Sequence, residues 1–127
     1  MKSLRVEEFT AMRYEGRDGT QIVAPRGEVD LSSAHRLREL IWQAAVQADG
    51  HPPRVVVDLS EIKFMDTAGL EVLLEEWNAS RQLDGRMCLV AREGPVTRLL
   101  EAAGLNELID LYAELDAALK SCALAPA

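Results

Sequence analysis

The sequence has few of the side chains on which enzymes and metal sites depend. Its two cysteines, Cys88 and Cys122, are too few and too far apart for a disulfide framework or a Cys-x-x-Cys metal site, and they predict reduced thiols. Its two histidines, His35 and His51, lie near no serine or cysteine in a recognised nucleophile setting. Phosphate-binding glycine motifs, His-Glu-x-x-His and calcium-loop patterns are absent. We therefore expect no catalytic residues, no cofactor and no metal, and hence no enzyme.

Basic residues are also scarce. The 127 residues include 14 Lys and Arg against 21 Asp and Glu, which gives a formal net charge of -7. Because nucleic-acid binding requires clustered basic side chains, direct binding to DNA or RNA is disfavoured. No apolar run reaches the roughly 18–20 residues that span a bilayer, and no apolar segment follows the first residues as in a signal peptide. The expectation is a cytoplasmic protein without membrane insertion that binds another protein.

Hydrophobic periodicity predicts a single α/β domain. The three valines of 54–59 have no polar residue between them, which indicates a central strand covered on both faces. Pro25 lies within another strand, where it requires an unpaired edge or a bulge. The predicted strands are 5–14, 21–29, 54–59, 86–91 and 108–112, and the predicted helices are 34–48, 68–83, 95–103 and 113–121.

This order, β-β-α-β-α-β-α-β-α, predicts a mixed, mostly parallel sheet flanked by about four helices, with the first two strands antiparallel. The domain is expected to cover residues 1–122, and residues 123–127 are expected to form a flexible tail.

The segment from Ile62 to Leu70 follows a buried strand and leads into an amphipathic helix, a place where open α/β sheets often carry function. Asp66 or Thr67 is the predicted N-cap of that helix. Capping does not explain Gly69, because a glycine in a first helical turn costs up to about 1 kcal/mol relative to alanine. Close approach of another chain or of a phosphate to the backbone would account for it.

Thr67 is a candidate site of phosphorylation, since a helix N-terminus tolerates a phosphate. A phosphate adds about -1.5 to -2 charges. The acidic residues around it are Asp66, Glu71, Glu75 and Glu76, with no base among them before Arg81. Repulsion from an acidic or apolar partner could then end a contact, whereas the alternative interpretation of the glutamates is an ordinary solvated helix face.

An ordered set of segments runs through nearly the whole chain. They are Gly27-Glu28-Val29-Asp30, Val55-Val56-Val57-Asp58-Leu59, Phe64-Met65-Asp66-Thr67-Ala68-Gly69-Leu70, Gly94-Pro95-Val96 and Ala103-Gly104-Leu105. In these segments, and over nearly its whole length, the sequence resembles the STAS domain of bacterial anti-sigma factor antagonists.

The resemblance implies a binding switch. In that family the unphosphorylated antagonist binds an anti-sigma factor, usually also a GHKL-type serine/threonine kinase, and frees the sigma factor. The kinase then phosphorylates the hydroxyl after the motif aspartate, the antagonist lets go, and a phosphatase resets the cycle. By this resemblance Thr67 is the acceptor, Asp66 is its motif neighbour, Gly69 permits close approach and Asp30 lies on the adjoining loop. The expected partner-binding residues are Asp30, Asp66, Thr67, Ala68, Gly69 and Glu71, in a monomer or weak dimer.

Two positions depart from the commonest family pattern. Thr67 replaces the usual serine, and Ala68 replaces a frequent second serine. The segment also resembles the small cytoplasmic subunit of lipid-transport ABC complexes, which docks on an ATPase. In that alternative Thr67 is a contact residue and there is no phosphorylation cycle.

Overall fold

The computed structural model describes residues 8–47 and 51–123. Residues 5–7 of the first predicted strand, Ala48 of the first predicted helix and residues 124–127 of the predicted tail lie outside this part. Ala123, which belongs to the predicted tail, is the last residue of a helix.

The strands are β1 Thr10–Glu15, β2 Gln21–Val29, β3 Arg54–Asp58, β4 Glu61–Met65, β5 Arg86–Val90 and β6 Leu111–Tyr112. The helices are α1 Ala34–Val46, α2 Thr67–Gln82, α3 Pro95–Ala102 and α4 Leu115–Ala123.

The six strands form one mixed sheet in the order β1-β2-β3-β5-β6, and β4 also pairs with β2. The β1–β2 pair is antiparallel, and the β2–β3, β2–β4, β3–β5 and β5–β6 pairs are parallel. The predicted mostly parallel α/β sheet with an antiparallel first pair is therefore confirmed.

Strand β4 was not predicted. Its residues lie between the predicted central strand and the next predicted helix, and two of the five, Glu61 and Lys63, are charged. In the structure β3 pairs with the first part of β2, and β4 then pairs with residues Arg26 to Val29 on the same side. The register shifts between Gly27 and Glu28, where Gly27 has a φ of +95° that favours glycine.

Pro25 lies at a break in this pairing. It faces Ala11 of β1, but on the other side it falls between the stretch of β2 that pairs with β3 and the stretch that pairs with β4. The expectation that this proline requires an irregular position in the ladder is confirmed.

Helices cover both faces of the sheet. Val55 and Val57 belong to the larger core, together with the inner sides of α1 and α2, whereas Val56 belongs to a second core beneath α4. All three valines are at most 1% exposed, which confirms the predicted central strand. Cys88 and Cys122 are both buried in the second core, so they act there as small packing residues.

Arginines from the beginnings of two strands hold the C-terminal end of α4. Arg86 donates to the carbonyl oxygen of Ser121 at 2.6 Å, and Arg54 donates to that of Ala123 at 3.3 Å. These carbonyls have no partner within the helix, so the positive side chains fix the helix end against the sheet. None of the described helices is long and apolar enough to cross a membrane.

Candidate functional site

The site predicted from the sequence lies where β2 and β4 end. Because these strands are parallel, their carboxyl ends meet at one edge of the sheet. The backbone N–H of Asp66 donates to the carbonyl oxygen of Val29 at 3.1 Å. This bond places the loop that begins with Asp30 beside Asp66 and Thr67, so the predicted proximity of the two segments is confirmed.

Of the two predicted N-caps, Asp66 and Thr67, the structure has Asp66 as the N-cap of α2. Its backbone is extended, and its Oδ1 accepts a hydrogen bond from the backbone N–H of Ala68 at 2.9 Å. The carbonyl oxygen of Asp66 accepts from the N–H groups of Gly69 and Leu70 at 3.1 and 3.3 Å. These bonds fix Thr67 as the first residue of the helix, with its side chain exposed to solvent and Ala68 half-buried.

Hydrogen bonds within the Asp30 loop hold its carboxylate in place. Asp30 Oδ1 accepts from the N–H and the Oγ of Ser32, at 2.9 and 2.6 Å. The hydroxyl of Ser33 accepts from the N–H of Asp30 and donates to the carbonyl oxygen of Glu28, both at 3.0 Å. The hydrogen bonds from Ser32 lower the pKa of the Asp30 carboxyl below its usual range. The loop thus presents a fixed negative charge next to Thr67.

The expected role of Gly69 requires correction. This residue is buried, and a Cβ there would lie 2.6 Å from Met65 Cγ and 3.0 Å from Val29 Cγ1. Close approach to its backbone therefore comes from β2 and β4 of the same domain, and a partner or phosphate is not needed to explain the glycine. Gly69 therefore offers little surface to a partner.

Along the chain the acidic residues of α2 have no base among them before Arg81, but the fold brings one from another helix. Arg38 of α1 forms an ion pair of 2.8 Å with Glu75. Burial raises the pKa of the half-buried Glu76, and Arg38 partly offsets this effect. Glu71 is exposed and lies one turn after Thr67. The negative charge nearest Thr67 therefore comes from Asp30, Asp66 and Glu71.

Two apolar side chains at the same edge were not identified as site residues from the sequence. Leu31, which follows Asp30, is 84% exposed, and Phe64 in β4 is 49% exposed. Phe64 pairs in register with Glu28, and Leu31 begins the turn into α1. The sequence did contain a signal that Leu31 is exposed, because this leucine lies directly between the polar residues Asp30 and Ser32. Phe64 could be recognised as exposed only once β4 was known.

His35 on α1 and His51 before β3 are both exposed, in agreement with their interpretation as surface residues. Among residues 8–47 and 51–123, no three His, Cys, Asp or Glu side chains lie close enough to hold a metal ion.

Comparison with known proteins decides the family. The family model of the STAS domain matches residues 11–118. The chain belongs to the STAS-domain family of anti-sigma factor antagonists. It is 29% identical over 104 residues to the anti-sigma-F factor antagonist RsfA of Mycobacterium tuberculosis, a match covering 82% of this chain and 80% of the relative. It is 30% identical over 101 residues to the anti-sigma F factor antagonist of Paenibacillus polymyxa, covering 80% and 85%.

A solved structure of a STAS relative supports the same conclusion. The crystal structure of an anti-sigma factor antagonist from Mycobacterium paratuberculosis is similar to this fold with a TM-score of 0.79 and 28% sequence identity. The match covers 91% of this chain and 94% of that one.

Proposed function

We propose that this STAS protein is an anti-sigma factor antagonist whose binding is switched off by phosphorylation of Thr67. In its unphosphorylated form it binds an anti-sigma factor that is also a GHKL-type serine/threonine kinase, and so releases a sigma factor. A phosphatase restores the binding form. The observation that carries the proposal is the exposed Thr67 hydroxyl at the start of α2, directly after the capping Asp66, in a chain whose relatives are named anti-sigma factor antagonists.

The surface around Thr67 has the composition of a protein interface. The exposed Leu31 and Phe64 can be buried by a partner. Leu31 is flanked in the chain by Asp30 and Ser32, and Phe64 is preceded by Lys63. Interfaces of this kind combine a few apolar anchors with a polar rim. We include Asp30, Asp66, Thr67, Ala68 and Glu71 in the rim. The buried Gly69 acts through the position that it gives to α2.

Charge provides the switch. A phosphate on Thr67 brings about -1.5 to -2 charges to a surface that already carries Asp30, Asp66 and Glu71. A partner that accommodates the neutral threonine must then desolvate the phosphate or face a like charge, and both are unfavourable. The proposed function requires no catalysis by this chain, and its cytoplasmic location stays a prediction.

Phosphate transfer tests the acceptor. The protein is incubated with its cognate anti-sigma kinase and ATP, and the phosphate is located by mass spectrometry. We expect modification of Thr67, none in Thr67→Val, which keeps the shape without the hydroxyl, and transfer to Thr67→Ser. Phosphate on another residue, or on none, contradicts the assignment. The alternative of a transporter subunit docking on an ATPase also predicts no transfer.

Binding tests the charge mechanism. In titrations with the anti-sigma factor, Thr67→Glu should weaken the affinity about tenfold or more, which corresponds to roughly 1.4 kcal/mol. Thr67→Val should bind like the unmodified protein, because loss of the hydroxyl adds no charge. Asn78→Glu, at an exposed position near the other end of α2, is the matched charge control and should have little effect. Equal affinities for Thr67→Glu and Thr67→Val would contradict the mechanism.

A further inference from the structure

The first strand leaves one edge of the sheet open. Within residues 8–47 and 51–123, β1 pairs only with β2 and lies at the end of the strand order. An open edge presents backbone N–H and C=O groups to any strand that can lie beside it. Charged side chains often protect such an edge, but they do not repel a strand whose charges are complementary.

The hydrogen bonding of the β1–β2 hairpin shows which backbone groups face this edge. The N–H of Gly16 donates to the carbonyl oxygen of Thr20 at 2.7 Å, so the backbone of Gly16 faces β2. These directions alternate along an antiparallel strand, so Tyr14 also faces β2. The N–H and C=O groups of Arg13 and Glu15 therefore point to the open edge.

These two outward-facing residues carry opposite charges. Arg13 and Glu15 are two positions apart, so their side chains lie on the same face of β1, and both residues are exposed. Glu15 accepts a hydrogen bond from Gln21 Nε2 at 3.1 Å, which holds its carboxylate on that face. The salt bridges formed within the described part of the chain involve neither Arg13 nor Glu15. Both charges are thus available to a strand lying alongside.

The opposite face of β1 carries two apolar side chains. Met12 and Tyr14 are 61% and 39% exposed. Helix α4 packs on this side of the sheet against β3, β5 and β6, and it leaves Met12 in solvent. A strand added at the edge would bring its own side chains next to these two residues.

We propose that a second copy of this chain pairs with β1, antiparallel and in the register that places Tyr14 opposite Tyr14. Each Arg13 then lies opposite Glu15 of the other copy, and their outward backbone groups form hydrogen bonds. The two tyrosine rings meet at the two-fold axis, with Met12 diagonally beside them. A symmetric register centred on Arg13 would instead place the two Arg13 side chains together. Charge therefore selects the register centred on Tyr14.

The proposed dimer is weak. The chain leaves β1 after Glu15 and turns through residues 17–19, so the paired stretch extends little beyond residues 13–15. Such a pairing falls in the class of small interfaces below about 1,200 Å², which is typical of transient association.

The pairing leaves the Thr67 site free. That site lies at the carboxyl end of β2, whereas Glu15 pairs with Gln21 at its amino end. Antiparallel pairing points the two Thr67 sites in opposite directions, so one dimer can hold two anti-sigma factors. This last consequence rests on the proposed function, whereas the dimer itself does not.

Charge reversal tests the interface in the full-length protein without any partner. Sedimentation equilibrium from about 10 µM to 1 mM should show a reversible dimer. Arg13→Glu and Glu15→Arg should each weaken it at least tenfold, because each turns two attractive pairs into two repulsive ones. The double variant with both reversals should regain the parent affinity. Arg98→Glu, an equal charge change at an exposed position of α3, is the control and should have little effect.

Amide hydrogen exchange measured by NMR tests the register. As the protein concentration rises, exchange should slow at the N–H groups of Arg13 and Glu15. Those of Met12 and Tyr14, which face β2, should not change. The far-UV circular dichroism of each variant is compared with that of the parent.

Four results would overturn the proposal. They are a monomer over the whole concentration range, a dimer that folded Arg13→Glu does not weaken, a folded double variant that stays monomeric, and slowed exchange centred on residues outside β1. None of these results depends on Thr67 or on an anti-sigma factor, so failure of the proposed function would leave the test intact.

Discussion

Replacement of Gly69 by alanine should destabilise the domain by about 1–2 kcal/mol. The new Cβ would lie 2.6 Å from Met65 Cγ and 3.0 Å from Val29 Cγ1. Met65 and Val29 are 5% and 0% exposed, so neither side chain can move into solvent. Overpacking typically costs about 1–3 kcal/mol, and the contact with the middle of the buried Met65 side chain places the cost in the upper half of that range. The better helix propensity of alanine offsets about 1 kcal/mol of it, which leaves about 1–2 kcal/mol.

Urea unfolding followed by circular dichroism measures this change as a lower midpoint at an unchanged slope. The difference in stability between Asn78→Ala and Asn78→Gly, at an exposed position of α2, provides the propensity difference within the same helix. In a Met65→Ala background the contact with Met65 is removed, so the cost of Gly69→Ala should fall by roughly 1 kcal/mol.

A Gly69→Ala protein that is as stable as the parent, or more stable, would refute the packing argument. If that variant also bound the anti-sigma factor at least tenfold more weakly, the glycine would serve approach from outside the domain. Loss of stability without a change in the affinity of the folded protein would support the packing contact with Met65 and Val29.

Three further substitutions test the packing and the capping of the site. Leu73→Ala should lower the free energy of unfolding in urea by about 2–5 kcal/mol, because Leu73 is fully buried. Leu74→Ala, at a 38% exposed position, should lower it much less. Equal losses would mean that the buried face of α2 is misassigned. Asp66→Ala should cost about 0.5–2 kcal/mol through loss of the cap to Ala68, and Asp66→Asn should retain most of that stability. Ser32→Ala should raise the pKa of Asp30 measured by NMR, because Ser32 lowers it. The contribution of ionised Asp30 to stability is present above its unfolded pKa and is lost as pH falls through the folded pKa, so Ser32→Ala should reduce it, and an unchanged pKa would contradict the assignment.

Helices and strands could be predicted from the sequence where their buried residues recur at regular positions along the chain. Consecutive apolar residues identified β3, and the three- and four-residue spacing of leucines identified α2. Strand β4 lacks such a pattern because it gains its structure from pairing with the second half of β2, more than 30 residues earlier in the chain. A short strand with two charged residues has no local signal that separates it from a loop.

Within the site, contacts between residues close in sequence could be predicted, whereas contacts between distant segments could not. The cap at Asp66 depends on residues two positions apart, so it could be predicted from the sequence. The pair between Arg38 and Glu75 joins two helices, and the contact between Gly69 and Val29 joins a helix to a strand. Neither contact follows from spacing along the chain, and both changed the physical interpretation of the site.

The cap at Asp66 and the pair between Arg38 and Glu75 also limit how a phosphate on Thr67 could act. The N–H of Ala68 already donates to the Asp66 carboxylate, and the N–H of Gly69 donates to the Asp66 carbonyl oxygen. A phosphate would compete with these oxygens for donors at the start of α2. The exposed pair of Glu75 with Arg38 leaves Glu75 largely compensated. The charges that a phosphate would meet within the domain are then those of Asp30, Asp66 and Glu71, which are partly or fully exposed, so solvent and salt screen this repulsion. Release of a partner must then come from the interface itself, where Leu31, Phe64 and the phosphate would be buried together.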